Sequence, residues 1–350
     1  MEYGLSFLPD IDNKNYSAAD YFKNVLKLSV YADQAGLNTI KMTEHYLHPY
    51  GGYCPDPLMF LASVAAQTST IRLMTGCILP VFHHPIQIAA KTAMLDALSN
   101  GRLDVGFARA YLPYEFEAFE IDMDNSREKF QETITAVKKL WVEDKTTCET
   151  PFFNFHNVRS LPAPTQLPHP PLWGAAVNSR QSFAWLGEQG FGLLATPPLS
   201  SFDELVNKID IYRDSFIPNV VMKKPRIAIS LPLLITENQN DAEKVGDYYL
   251  AEYMRVWADA ADSWNNKTSS NYLGYTGMSY ALRQNSPHHM RSTTQAIIGT
   301  PAYAAEKIKE IQSATAVDQI LWQIDFGGQP FDSMMQTLQL FVTQVLPLIR

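Results

Sequence analysis

Tyr3-Gly4-Leu5-Ser6-Phe7-Leu8, followed by Pro9-Asp10-Ile11-Asp12, is the stretch on which the fold turns. Tyr3–Leu8 is short, apolar and closed by a proline, which reads as a buried strand. The helical pattern after it, Ala18–Ala35, puts Tyr21, Val25, Leu28 and Ala32 on one face and stops at Gly36. A strand–turn–helix opening fits two architectures, an open doubly wound sheet and a closed barrel. An open sheet that binds a dinucleotide carries G-x-G-x-x-G in this first turn, so that the pyrophosphate can approach the backbone. Pro9-Asp10-Ile11-Asp12 holds no glycine, and the barrel is the expected fold.

The rest of the chain repeats the unit. Strand patterns at Leu37–Met42, Ile71–Leu79, Leu103–Phe107, Pro171–Val177, Phe191–Ala195, Arg226–Ile235 and Gln319–Ile324 bring the count to eight. Helical patterns follow them, among them Pro57–Thr68, Pro85–Leu98, Ser126–Val142, Ser179–Gln189, Ser201–Phe216 and Asp332–Leu348. Regular alternation implies parallel strands with helical crossovers. The expectation is an α/β fold, a (βα)8 TIM barrel forming one domain over residues 1–350. Two stretches depart from the rhythm. Pro151–Pro171, rich in proline and aromatics, reads as an irregular excursion. Residues 261–294 are polar and aromatic with weak periodicity, which predicts a long lid insertion near the C-terminal quarter.

Composition narrows the function classes. With 46% hydrophobic and 18% charged residues the chain can bury a large core without staples. Three cysteines, Cys54, Cys77 and Cys148, with no C-x-x-C, exclude a disulfide framework and a zinc ribbon. The net charge of −8 speaks against nucleic acid or an anionic membrane as partner. No apolar run reaches the roughly 18 residues of a membrane helix, and Met1–Asp10 has no export signal. A cytoplasmic protein is expected.

In a barrel the chemistry sits on loops after the strands. After the second strand come His45 and His48. His45 suits a general acid or base, or a hydrogen-bonded structural role. A metal pair lacks a third ligand, so no metal is expected. After the fourth strand, Arg109 can grip a phosphate in a two-pronged manner, or pair with a carboxylate such as Glu115. After the fifth, Asn178 can cap a helix with Ser179 and Ser182 in its first turn, a ready phosphate site. His83-His84 read as a loop pair that caps a helix. Thr75-Gly76-Cys77 supply small residues that let a flat ring approach the backbone, with Cys77 a core residue rather than a nucleophile.

At these residues the sequence resembles the bacterial luciferase-like flavin-dependent monooxygenases. The likeness rests on Thr43-Glu44-His45 with Pro49-Tyr50-Gly51-Gly52, on Leu79-Pro80 with His84-Pro85, and on Leu95-Asp96-Ala97-Leu98-Ser99-Asn100-Gly101-Arg102. It continues through Gly106-Phe107-Ala108-Arg109, Glu115-Phe116, Asn125-Ser126-Arg127 and Gly299-Thr300-Pro301. The resemblance implies a barrel that binds flavin mononucleotide (FMN), with Arg109, Asn178, Ser179 and Ser182 at its phosphate and Ala108 and Tyr111 flanking the arginine. It implies that Thr75 and Gly76 lie under the ring across a non-proline cis peptide, and that His45 stands beside the ring as the catalytic residue. It also implies a mobile lid at 261–294 and a homodimer formed through the helices after strands two and three. Ala108 stands where the light-emitting alkanal enzymes carry cysteine, and Ala110 where they carry glycine. The implied activity is that of a two-component monooxygenase, using reduced FMN from a separate flavin reductase and O2 on a small organic substrate of specialised metabolism. The rivals are a deazaflavin- or NAD(P)H-linked oxidoreductase on the same barrel and a flavin-binding protein without turnover.

Overall fold

The computed structural model describes residues 1–12, 14, 16–196 and 202–349. Its strands are β1 Glu2–Phe7, β2 Thr39–Met42, β3 Arg72–Thr75, β4 Leu103–Phe107, β5 Thr146–Glu149, β6 Asn154–Val158, β7 Leu172–Ala176, β8 Gly192–Ala195, β9 Ile227–Ile235, β10 Ile297–Gly299 and β11 Gln319–Gln323. Eight of them close a ring in the order β1–β2–β3–β4–β7–β8–β9–β11 and back to β1, every pairing parallel. These are the eight strands the sequence pattern predicts. β9, buried along its whole length, is the longest. Its C-terminal residues also pair with β10, from Ile297 with Leu233 to Gly299 with Ile235. At three residues β10 is too short to show a period.

Helices cover the ring. α1 Ala18–Gln34, α2 Pro57–Ala65, α3 Pro85–Leu98, α4 Pro113–Ala118 and α5 Ser126–Val142 serve the first half. α6 Arg180–Glu188, α7 Phe202–Asp214, α8 Gln239–Ala261, α9 Met278–Gln284, α10 Pro287–Ser292, α11 Pro301–Thr315 and α12 Phe331–Leu340 serve the second. Their starts follow from local chemistry. Ser17 and Asp56 cap α1 and α2, and Pro57 and Pro85 occupy first positions where a missing N–H costs nothing. Ser201, the expected start of α7, lies outside the described residues.

Two expectations are corrected. The excursion at 151–171 contains β6, which pairs antiparallel with β5; alternating buried and exposed residues along Thr146–Glu149 mark a half-buried hairpin. Residues 261–294 are not one long loop. They hold α9, α10 and two single-turn helices, Asp262–Trp264 and Ser270–Tyr272. A cluster of rings fixes this segment, with Trp264, Tyr272 and Tyr275 centred 5.4–5.5 Å apart. The Tyr272 hydroxyl donates to the Ala110 carbonyl at 2.5 Å, tying the segment to the loop after β4. Among the described residues no helix is long and apolar enough to cross a membrane.

Candidate active site

A cavity of about 520 Å³ opens at the C-terminal end of the ring, within the range of small-molecule sites. Every barrel strand, or the loop directly after it, contributes to its lining.

One end of the cavity is cationic. Arg109, two residues past β4, donates from Nη2 to the Asn271 carbonyl at 2.8 Å and lies over the Tyr272 ring, 4.2 Å from its centre. Its Nη1 is buried and has no hydrogen-bond partner among the described residues. Glu115, the alternative partner for this arginine, is engaged elsewhere. Arg127, on the first turn of α5, lines the same end. Burial, and then the charge of Arg109, push its pKa below the usual guanidinium value. Neither arginine has an ion pair among the described residues, and two neighbouring guanidinium groups are costly to bury unless an anion joins them. The start of α6 faces the same cavity through Asn178, Ser179 and Ser182. Ser179, not Asn178, is the cap: its Oγ accepts from the Ser182 amide at 3.4 Å, and Asn178 precedes it. Helix N-terminal amides and dipole favour a phosphate. This donor set fits the phosphate of FMN.

A second wall carries His45, which is 6% exposed. Its Nδ1 lies 3.0 Å from Glu115 Oε1, and the same oxygen accepts the Tyr46 amide at 2.9 Å. Glu115 sits on α4 and is fully buried. An ionised Glu115 requires the proton on Nδ1, and among the described residues Nε2 has no partner. Gly51, at φ +77°, lets the loop close over the imidazole; a Cβ there would come within 2.7 Å of the His45 side chain. Tyr111 stands edge-on to His45 at 6.1 Å and accepts from Trp257 Nε1 at 2.9 Å. It belongs to this aromatic wall, which Tyr50 stacked on Trp257 at 5.7 Å completes. Burial raises the Tyr50 and Tyr111 pKa values well above normal, so both hydroxyls stay protonated.

The remaining candidates sort by position. Ala108 and Gly76 line the cavity. Thr75 does not: its Oγ1 donates to the Gly106 carbonyl at 2.9 Å and accepts the Gly106 amide at 2.8 Å, joining β3 to β4. The cis peptide is Gly76–Cys77, one bond after the expected place. Cys77 is buried and its thiol is pushed up to about 12, which suits a core residue. His48 lines a separate cavity. His83 lies 2.7 Å from Glu44, whose other oxygen accepts the Leu79 amide, and His84 caps α3. Among the described residues no group of three His, Cys, Asp or Glu could hold a metal ion.

Among the cavity residues, sequence reasoning missed Arg127 and Lys41 as site residues. Arg127 was visible only as part of a motif. Tyr272 was expected to cover the pocket from the lid, but its place under Arg109 needs the fold. Lys41 carried a usable signal, a charge inside the apolar strand Thr39-Ile40-Lys41-Met42.

Comparison with known proteins agrees with this geometry. The family described as luciferase-like monooxygenase matches residues 1–318. The oxygenase component of a flavin-dependent trigonelline monooxygenase from Acinetobacter baylyi is 28% identical over 334 residues, covering 93% of this chain and 89% of that protein. The crystal structure of monooxygenase RslO1 from Streptomyces bottropensis superposes with a TM-score of 0.83 at 34% identity, covering 99% of each chain. The oxygenating constituent of 3,6-diketocamphane monooxygenase from Pseudomonas putida, solved with FMN, gives a TM-score of 0.81 at 19% identity, covering 100% of this chain and 99% of that one. At that identity the likeness is one of fold.

Proposed function

The chain belongs to the luciferase-like monooxygenases, and on that footing we propose how its cavity works as the FMN-dependent oxygenase of a two-component enzyme. Bound FMN, delivered reduced by a separate reductase, supplies the electrons with which O2 gives one oxygen atom to a small organic substrate. The buried Nη1 of Arg109, without a partner among the described residues and in the cavity that Arg127 and the start of α6 also line, is the observation that carries the reading. Arg109, Arg127, Asn178, Ser179 and Ser182 grip the phosphate. Gly76, Cys77 and Ala108 give a low-relief wall on which a flat ring can lie.

His45 Nε2 holds or moves the proton of the reaction, and Glu115, 3.0 Å from Nδ1, fixes the ring's orientation. The buried Tyr50 and the half-buried Tyr111 and Trp257 shield that nitrogen from water. The segment 261–294 acts as a lid, with Asn271, Tyr272 and Tyr275 on the cavity side. We read residues 1–350 as a single barrel domain working in the cytoplasm. Two copies pair through α2 and α3, where Met59, Met94 and Leu98 are exposed apolar residues. A monomer in sedimentation at micromolar concentration overturns that pairing.

The function is tested by oxygen uptake and anaerobic titration. The enzyme should bind reduced FMN more tightly than the adenine dinucleotide form and turn over a substrate only when reduced flavin and O2 are both supplied. Equal binding of both flavins, or turnover without O2, refutes it.

A further inference from the structure

The floor of the cavity is polar where a barrel interior is ordinarily filled by branched apolar side chains. Ser6 on β1, Lys41 on β2, Ser230 on β9 and Gln323 on β11 all line it. They lie within two residues of one another in register: Ser6 pairs with Lys41, and Gln323 with Pro232, two residues beyond Ser230. Lys41 Nζ donates to Ser230 Oγ at 2.8 Å. β11 and β1 separate β2 from β9 in the ring, so the lysine crosses the barrel interior to make this bond. Its stem runs over Gly76, where a Cβ would come within 2.2 Å of Lys41 Cγ.

Lys41 is 7% exposed and makes no ion pair among the described residues. The other buried lysine, Lys208, is paired with Glu204 at 2.8 Å. Burying an ammonium without a counter-ion is expensive, and a site that tolerates it is commonly a functional one. Two of the three ammonium protons remain after the bond to Ser230. Gln323, 6% exposed, adds a buried side-chain amide within reach of the Tyr253 hydroxyl. The floor is thus rich in donors: a cation, an amide and a hydroxyl from three different strands.

We propose that Lys41, Ser230 and Gln323 form an oxyanion-binding floor, and that the organic substrate carries an ionised oxygen, as carboxylate, phenolate or enolate, that docks on it. The inference rests on the cavity being the FMN oxygenase site. It differs from the phosphate grip, which uses Arg109 and Arg127 at the loops after β4 and at the start of α5. One positive charge with neutral donors matches a delocalised monoanion better than a phosphate, which favours guanidinium forks. Burial draws the Lys41 pKa down to about 8, while Cys77 and Asp325 work in the opposite direction. The side chain is therefore largely protonated at neutral pH, and an anion beside it would hold the proton more firmly. The same chemistry could serve a ring oxygen of the flavin, so the test separates the two sources.

The probes are benzoate and its neutral counterpart benzamide, titrated into FMN-loaded enzyme and followed by the flavin absorbance. The native protein should prefer benzoate by about tenfold or more, the scale of one charge-assisted hydrogen bond. Lys41→Met should erase that preference and leave FMN affinity within about twofold. Lys41→Arg, which keeps the charge and guards against a folding defect, should retain a preference. Equal binding of the two probes by the native protein, or an undiminished preference in Lys41→Met, overturns the proposal. So does a Lys41→Met protein that loses FMN affinity but keeps the benzoate preference, because the floor then serves the flavin. Failure of the native protein to bind FMN instead refutes the functional reading beneath it.

Discussion

Replacing Arg109 by Met removes the group that most directly argues for a phosphate. In the structure its Nη2 is committed to the Asn271 carbonyl, and its buried Nη1 has no partner among the described residues. A phosphate oxygen at Nη1 would form a charge-assisted hydrogen bond, for which roughly 1.5–3 kcal/mol is typical. That corresponds to about a 10- to 150-fold rise in the dissociation constant of FMN. Without flavin the variant also loses the contact over Tyr272, about 0.5–1 kcal/mol, and the hydrogen bond to the Asn271 carbonyl, while Arg127 is relieved of a like charge. The losses outweigh the relief, so thermal stability without flavin should fall modestly. The assay is anaerobic titration of reduced flavin against protein fluorescence, with riboflavin as control. Riboflavin lacks the phosphate, so its affinity should move less than about threefold, and the preference for FMN should collapse. If Arg109→Met weakens both flavins equally, the arginine shapes the pocket and the phosphate lies elsewhere. If neither weakens, the cationic end is not a phosphate grip.

The remaining predictions concern the proton, the lid and the buried acids. His45→Ala should keep FMN affinity within about threefold and lower turnover about 10²- to 10⁴-fold; a normal rate would make the histidine structural. Glu115→Gln should lower turnover and leave FMN affinity unchanged, since the His45 ring loses the carboxylate that orients it, and unchanged turnover refutes the pairing's role. Limited proteolysis should cut within 261–294 more slowly once FMN and substrate are bound, and equal rates in both states argue against a lid. Burial raises Asp10 to about 8 and Asp325 to about 7, so the folded state holds protons that the unfolded chain releases above about pH 4. Their contribution to stability therefore falls as pH rises from about 4 towards 8, by up to about 1.4 kcal/mol per pH unit for one group. The melting temperature of Asp10→Asn should gain on the native protein across that window, and a constant difference would show that Asp10 does not titrate there.

The barrel was legible because its evidence is local. Strands such as Leu103–Phe107 are apolar runs of the right length, and their helices begin with Pro57 or Pro85 and end near glycine or polar caps. The boundaries of α3, β4 and α5 coincide with the sequence reading to the residue. What escaped it depends on partners far away in the chain. β10 exists because Ile297–Gly299 finds the end of β9, and the helices of the 261–294 segment are held by contacts of Tyr272 with Ala110 and Ser126, well over 100 residues distant. No periodicity announces such contacts.

The same division runs through the site. His45 and Arg109 could be picked out because each follows directly on a strand, where position alone predicts access to the mouth of a barrel. Glu115 could be paired only by proximity in sequence, and the natural guess was Arg109; the fold gives it to His45 instead, at 3.0 Å, because α4 turns the carboxylate towards the loop after β2. That exchange leaves Arg109 without a counter-ion among the described residues and gives His45 one. An arginine without a carboxylate is suited to an anion from outside the protein, and a histidine oriented at Nδ1 by a buried carboxylate presents its other nitrogen to the cavity. One carboxylate thus separates a place that binds charge from a place that moves a proton. The separation predicts that Arg109 variants change affinity and His45 variants change rate, so variants that reversed those effects would show that the cavity is organised in some other way.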